Sequence, residues 1–112
     1  MIYRIVTEGE WGAAQASGVF EGSAHDRRDG FIHFSTAAQA AETASKHYAG
    51  KTDLLLLWVD SAALTAPLKW EVSRGDQLFP HLYGSLPLNV VRRVEKLPLG
   101  PDGYFLFPNL EP

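Results

Sequence analysis

The chain opens on an alternation of side chains, Ile2-Tyr3-Arg4-Ile5-Val6, that has the period of a β-strand. Thr7, with Glu10 three positions later, forms a capping-box pattern. It predicts a short helix through about Ser17, packed through Trp11, Ala13, Ala14 and Ala16 and stopped at Gly18. The apolar period lapses from residue 21 to residue 30, where His25, Asp26, Arg27, Arg28 and Asp29 stand in a row. That segment reads as solvated loop, or at most one helical turn. Gly30 then opens a second apolar run, Phe31-Ile32-His33-Phe34. Thr36 with Gln39 repeats the capping-box pattern and predicts an alanine-rich helix to about Tyr48, stopped at Ala49-Gly50.

Leu54-Leu55-Leu56-Leu57-Trp58-Val59 is apolar without interruption and bounded by polar residues, which suits a central strand buried on both faces. After it the pattern predicts a helical turn over Ser61 to Ala66, a short strand over Leu68 to Val72, and a turn at Arg74-Gly75-Asp76. Phe79-Pro80-His81-Leu82-Tyr83-Gly84 reads as a proline-restrained loop, and Val90 to Val94 as a strand. Tyr104, Phe105 and Phe107 in the Pro- and Gly-rich tail predict that it is pinned to the body. Strand and helix alternate early and strands dominate later, which favours an α+β fold over a doubly wound parallel one.

With 112 residues there is room for one domain, taken as 1–112. A net charge of -3 argues against general nucleic-acid binding, which needs a positive field. The absence of cysteine rules out disulfides, thiol chemistry and thiolate metal sites. No apolar run is long enough to span a bilayer, the N-terminus lacks a signal-peptide pattern, and the chain reads as cytoplasmic. There is no Gly-rich phosphate loop, the four histidines at 25, 33, 47 and 81 look scattered, and no ligand spacing points to a metal. The residues fix no cofactor and leave the oligomeric state open.

His33 is the most suggestive polar residue. Strand alternation puts it with Ser35 on one face, opposite Ile32 and Phe34. A helix start beside Ser35 and Thr36 would favour an anion there. The equally weighted alternative is a satisfied core histidine with Thr36 as a plain cap. His81 and Tyr83, held between Pro80 and Gly84, suit a ligand-binding loop with Phe79, or else an aromatic plug at one end of a sheet. Glu71 is either a carboxylate base or the solvated side of an edge strand. Arg4, on the face of Ile2 and Val6, either reaches out to water or binds an anion.

Gly30-Phe31-Ile32-His33-Phe34-Ser35-Thr36 with Gln39, Phe79-Pro80-His81-Leu82-Tyr83-Gly84, the opening Ile2 to Thr7 with Trp11, and Glu71 together resemble a bacterial family catalogued as domain of unknown function 952. The resemblance covers nearly the whole chain. It implies a compact version of the ADP-ribosyltransferase fold, with a split, curved β-sheet, two main helices and a nucleotide-sized cleft. It implies roles for Arg4 on ribose or phosphate, for His33-Phe34-Ser35-Thr36 as the second motif, and for Glu71 as the catalytic carboxylate, with NAD as a substrate. The RNA 2′-phosphotransferase branch of that superfamily relies on basic and histidine residues, and Arg4, His33 and His81 would lean that way.

Three readings follow. One is an ADP-ribosyltransferase-like enzyme with Glu71, His33 and His81 catalytic and Arg4, Ser35, Thr36, Phe79 and Tyr83 on the ligand. The second is a non-catalytic module binding a small molecule or peptide in the same cleft. The third is a 2′-phosphotransferase, which the net charge disfavours.

Overall fold

The computed structural model describes residues 1–112. Eight strands run as β1 (Ile2–Thr7), β2 (Val19–Phe20), β3 (Ile32–His33), β4 (Leu54–Val59), β5 (Leu68–Val72), β6 (Leu78–Leu82), β7 (Leu86–Pro87) and β8 (Val91–Lys96). Three helices join them: α1 (Glu8–Ser17), α2 (Ala24–Asp29) and α3 (Ala37–His47). The sheets are antiparallel and ordered β1-β4-β8, β3-β6-β5 and β2-β7. The first two are stitched together by one bridge, in which Tyr3 and Ser35 exchange backbone hydrogen bonds of 2.8 and 2.9 Å. The result is a mixed, small domain with a sheet split at the Tyr3–Ser35 bridge, where the end of β3 meets β1.

Proline explains where the split falls. The Phe34 N–H donates to the Pro80 carbonyl at 3.0 Å, but Pro80 has no N–H to return the bond. The β3 ladder stops there, and the chain turns from β6 to pair Ser35 with Tyr3. Sequence patterning reads Phe79 to Gly84 as loop; most of it is instead the inner strand β6, with His81 opposite His33 on one side and Lys69 on the other.

β4 is the central strand its apolar run predicts, and both of its faces are covered. On one face Leu57 and Val59 join Ile2, Val6, Phe20, Ile32, Phe34 and Leu82, with Ala14 of α1 above them. On the other, Leu54, Leu56 and Trp58 pack with Tyr3, Ile5 and Leu97 under Ala44 of α3. Each fully buried aliphatic side chain contributes about 1.5 to 3 kcal/mol, so β1 and β4 anchor the fold. Phe105 and Phe107 pack onto the second cluster as expected for a pinned tail, whereas Tyr104 is exposed.

α1 begins as predicted: Thr7 Oγ1 accepts from the Glu10 N–H, and the Glu10 carboxylate accepts from the Thr7 N–H. In α3 the Gln39 side chain accepts from the Thr36 N–H. α2 departs from the solvated loop that the charge row suggests. Ser23 and Asp26 cap one another, Gly30 closes the helix in the left-handed region at φ 87°, and Asp26 is only 1 % exposed. A third helix therefore stands where two main ones were expected.

Candidate functional site

Burial of Asp26 organises the site. Its Oδ1 accepts from Arg4 Nη1 at 2.8 Å, from the His33 backbone N–H at 3.0 Å and from His33 Nδ1 at 2.7 Å. Its Oδ2 accepts from the Ser23 N–H and hydroxyl at 2.6 and 2.9 Å. Burial alone would raise the Asp26 carboxyl. The hydrogen bond from His33 and the Arg4 charge outweigh it and hold the group far below the ordinary carboxylate range.

Arg4, expected to reach water or an external anion, is 5 % exposed and spent internally. Beyond Asp26 it donates to the carbonyls of His33 and Ile5, and its guanidinium lies 5.2 Å from the Phe20 ring centre. The partner that claims it comes from α2, the element missing from the sequence pattern.

His33 and His81 face each other across β3 and β6, ring centres 5.3 Å apart. Each is oriented by a carboxylate on Nδ1, His33 by Asp26 and His81 by Glu71 at 2.8 Å. Phe31 stacks on the His81 ring at 4.0 Å. Glu71 Oε1 also accepts from the Tyr83 hydroxyl at 2.7 Å. The bonds from Tyr83 and then His81 lower the Glu71 carboxyl, and the same bond raises the Tyr83 phenol.

A cleft of about 780 Å³ opens along the split, between α2 and the C-terminal half of α3. All four histidines line it, although their positions in sequence share no spacing; the fold alone brings them together. Lys46, Lys51 and Arg74 add positive charge to the same wall. Arg74 donates to Thr43 Oγ1 at 3.1 Å and lies over Phe79, and its Nε sits 2.8 Å from Glu42 Oε1, off the N–H axis. Burial lowers the His47 imidazole, and the charges of Arg74, His25 and His33 lower it further.

Of the residues singled out from sequence, Arg4, His33, Ser35, Phe79 and His81 line this cleft. Ser35 bonds Thr43 through its hydroxyl at 2.9 Å. Thr36 is a helix cap outside the wall. Glu71 and Tyr83 sit behind His81 rather than on the wall. Sequence reasoning misses His25, Asp26, Asp29, His47, Lys46, Lys51 and Arg74. Of these only Asp26 carries a local signal, the Ser23-x-x-Asp26 capping pattern ahead of Gly30. Against the expectation of no metal-ligand group, one ligand atom each from His25, Asp29 and His33 lies within 4.8 Å of the others.

No helix is long and apolar enough to cross a membrane. No curated protein matches the chain. Two experimental structures of protein CC0527 from Caulobacter crescentus resemble it closely. The crystal structure is 50% identical over 94% of this chain and 92% of that one, with a TM-score of 0.89. The solution NMR structure is 50% identical over 92% and 89%, with a TM-score of 0.82. Residues 5–94 match the family described as "Protein of unknown function (DUF952)", and the chain belongs to that family.

Proposed function

We propose that the cleft binds a small phosphorylated molecule of nucleotide size and that His81 serves there as proton donor or acceptor. The observation that carries this is the convergence of four histidines with Lys46, Lys51 and Arg74 on one cleft of about 780 Å³. Such a volume suits a nucleotide-sized ligand, and ammonium and guanidinium groups are the usual partners of phosphate. His81 Nδ1 is fixed by Glu71, which orients the ring and leaves Nε2 for a ligand.

ADP-ribosyl transfer from NAD requires a carboxylate at the ribose. Glu71, the residue the family resemblance offers, is already held by Tyr83 and His81 behind the wall. The geometry therefore favours histidine-based phosphoester chemistry over glycosyl transfer by Glu71. A binding module without turnover is the second reading. It draws on the commitment of Glu10, Asp26 and Asp29 to internal partners, so that no carboxylate of the wall stands ready as a base.

The test is a thermal-shift series with inorganic phosphate, AMP, ADP-ribose and NAD on wild type, Arg74→Ala and Lys46→Ala. A ligand at 100 times its Kd adds about 2.7 kcal/mol of stability. A shift with AMP or ADP-ribose that shrinks in both variants supports the reading. No shift with any of the four overturns it. Turnover of a bound phosphoester that is lost in His81→Gln separates enzyme from binding module.

A further inference from the structure

We propose that His25, Asp29 and His33 form a binding site for a first-row divalent metal ion at the α2 edge of the cleft. His25 and Asp29 lie one turn apart on α2, and His33 reaches the same point from β3. One oxygen is common to both histidines: Asp29 Oδ2 lies 3.0 Å from His33 Nε2 and 3.4 Å from His25 Nε2. Zinc bonds of about 2.0 to 2.2 Å to nitrogen and oxygen in a tetrahedron place neighbouring ligand atoms roughly 3.3 Å apart. The two observed separations bracket that edge.

The geometry of His33 points the same way. Its Nδ1 lies 2.7 Å from the buried Asp26, and its Nε2 lies 3.0 Å from a second carboxylate, Asp29. The buried Asp26 on Nδ1 is the carboxylate–histidine support that metal-ligating histidines ordinarily have. Two imidazoles and one carboxylate suit zinc and its neighbours better than magnesium or calcium. Three protein ligands leave a fourth position open.

One group must move. The Arg28 guanidinium donates to His25 Nδ1 at 2.8 Å, whereas a neutral His25 with metal on Nε2 carries its proton at Nδ1. Arg28 is 69 % exposed and free to swing away.

The site does not depend on the phosphorylated-ligand reading and is tested with zinc alone. The whole chain, stripped with chelator and dialysed, is titrated with Zn²⁺ against a chelating dye. The expected result is one equivalent bound at micromolar Kd or tighter. His25→Ala and Asp29→Asn each weaken it by about 10-fold or more, the scale on which loss of even a supporting group acts. Arg28→Ala binds at least as tightly as wild type, and Arg74→Ala keeps zinc affinity whatever it does to phosphate. Both ligand variants change exposed or half-exposed side chains, so their melting temperatures stay near wild type. Ring ¹⁵N spectra show His25 and His33 shifting with zinc while His81 does not. Millimolar or substoichiometric binding, or affinity unchanged in His25→Ala and Asp29→Asn, overturns the proposal.

Discussion

Replacing Asp26 by Asn probes the buried carboxylate on which fold and site both depend. The carboxylate takes five donors, among them the Arg4 guanidinium and both N–H groups of His33. An asparagine oxygen can still accept from one side. Its NH2 must then face either the Ser23 donors or Arg4, and Arg4 becomes a buried cation without a counter-charge. Breaking a buried pair in this way costs about 3 to 5 kcal/mol. Unfolding entropy of about 2.1 cal/mol/K per residue over 112 residues gives roughly 0.24 kcal/mol per degree, so Asp26→Asn should melt about 13 to 21 °C below wild type. Differential scanning calorimetry at pH 7 reads this directly. In the same experiment Arg4→Met should cost much less in the Asp26→Asn background than in wild type, a coupling of roughly 2 kcal/mol. A fall of only two or three degrees, or additive effects of the two substitutions, would refute the internal pair.

Acid should destabilise the protein in two stages. His47, lowered in the fold, lets the unfolded chain take a proton first as pH falls below its usual range near 6.5, and Asp26 does the same below about 4. Urea midpoints should therefore fall from pH 7 to 5 and again from 5 to 3, and a flat profile contradicts both assignments. Gly22→Ala should cost roughly 2 to 4 kcal/mol, because its φ is +95° and a Cβ would lie 2.8 Å from Asp26 Cβ. A variant with unchanged urea midpoint would mean that Asp26 is not held where described. Glu71→Gln should return the Tyr83 phenol downward toward its ordinary range near 10, visible in ultraviolet titration, while an unmoved phenol would show that the bond does not form.

Much of the scaffold is legible in the sequence because its signals are local. The capping boxes at Thr7 and Thr36, the apolar run of β4 and the alternation that places His33 beside Ser35 all need only a few neighbouring residues. α2 is hidden because a row of five charged or polar side chains reads as solvated, and what buries Asp26 is Arg4, 22 positions away. β6 is hidden because proline counts against an inner strand. Pro80 is tolerated since it stands where the β3 ladder ends and the split begins. His33, Ser35, Phe79 and His81, candidates already in the sequence, line the cleft, whereas Thr36, Glu71 and Tyr83 do not, and His25, His47 and Arg74 reach it only through tertiary packing. Arg4, expected to hold a ligand anion, is paired instead with Asp26 of the chain itself.

The central claim, that four histidines and three cationic side chains form one anion-binding cleft, is tested most directly by side-chain NMR. Long-range ¹H–¹⁵N spectra of the histidine rings are recorded during titration with AMP. The account predicts that the His47 and His81 resonances shift together along one saturation curve, weakened in Arg74→Ala. Rings that stay unmoved to millimolar AMP, or that shift identically in wild type and Arg74→Ala, would contradict it.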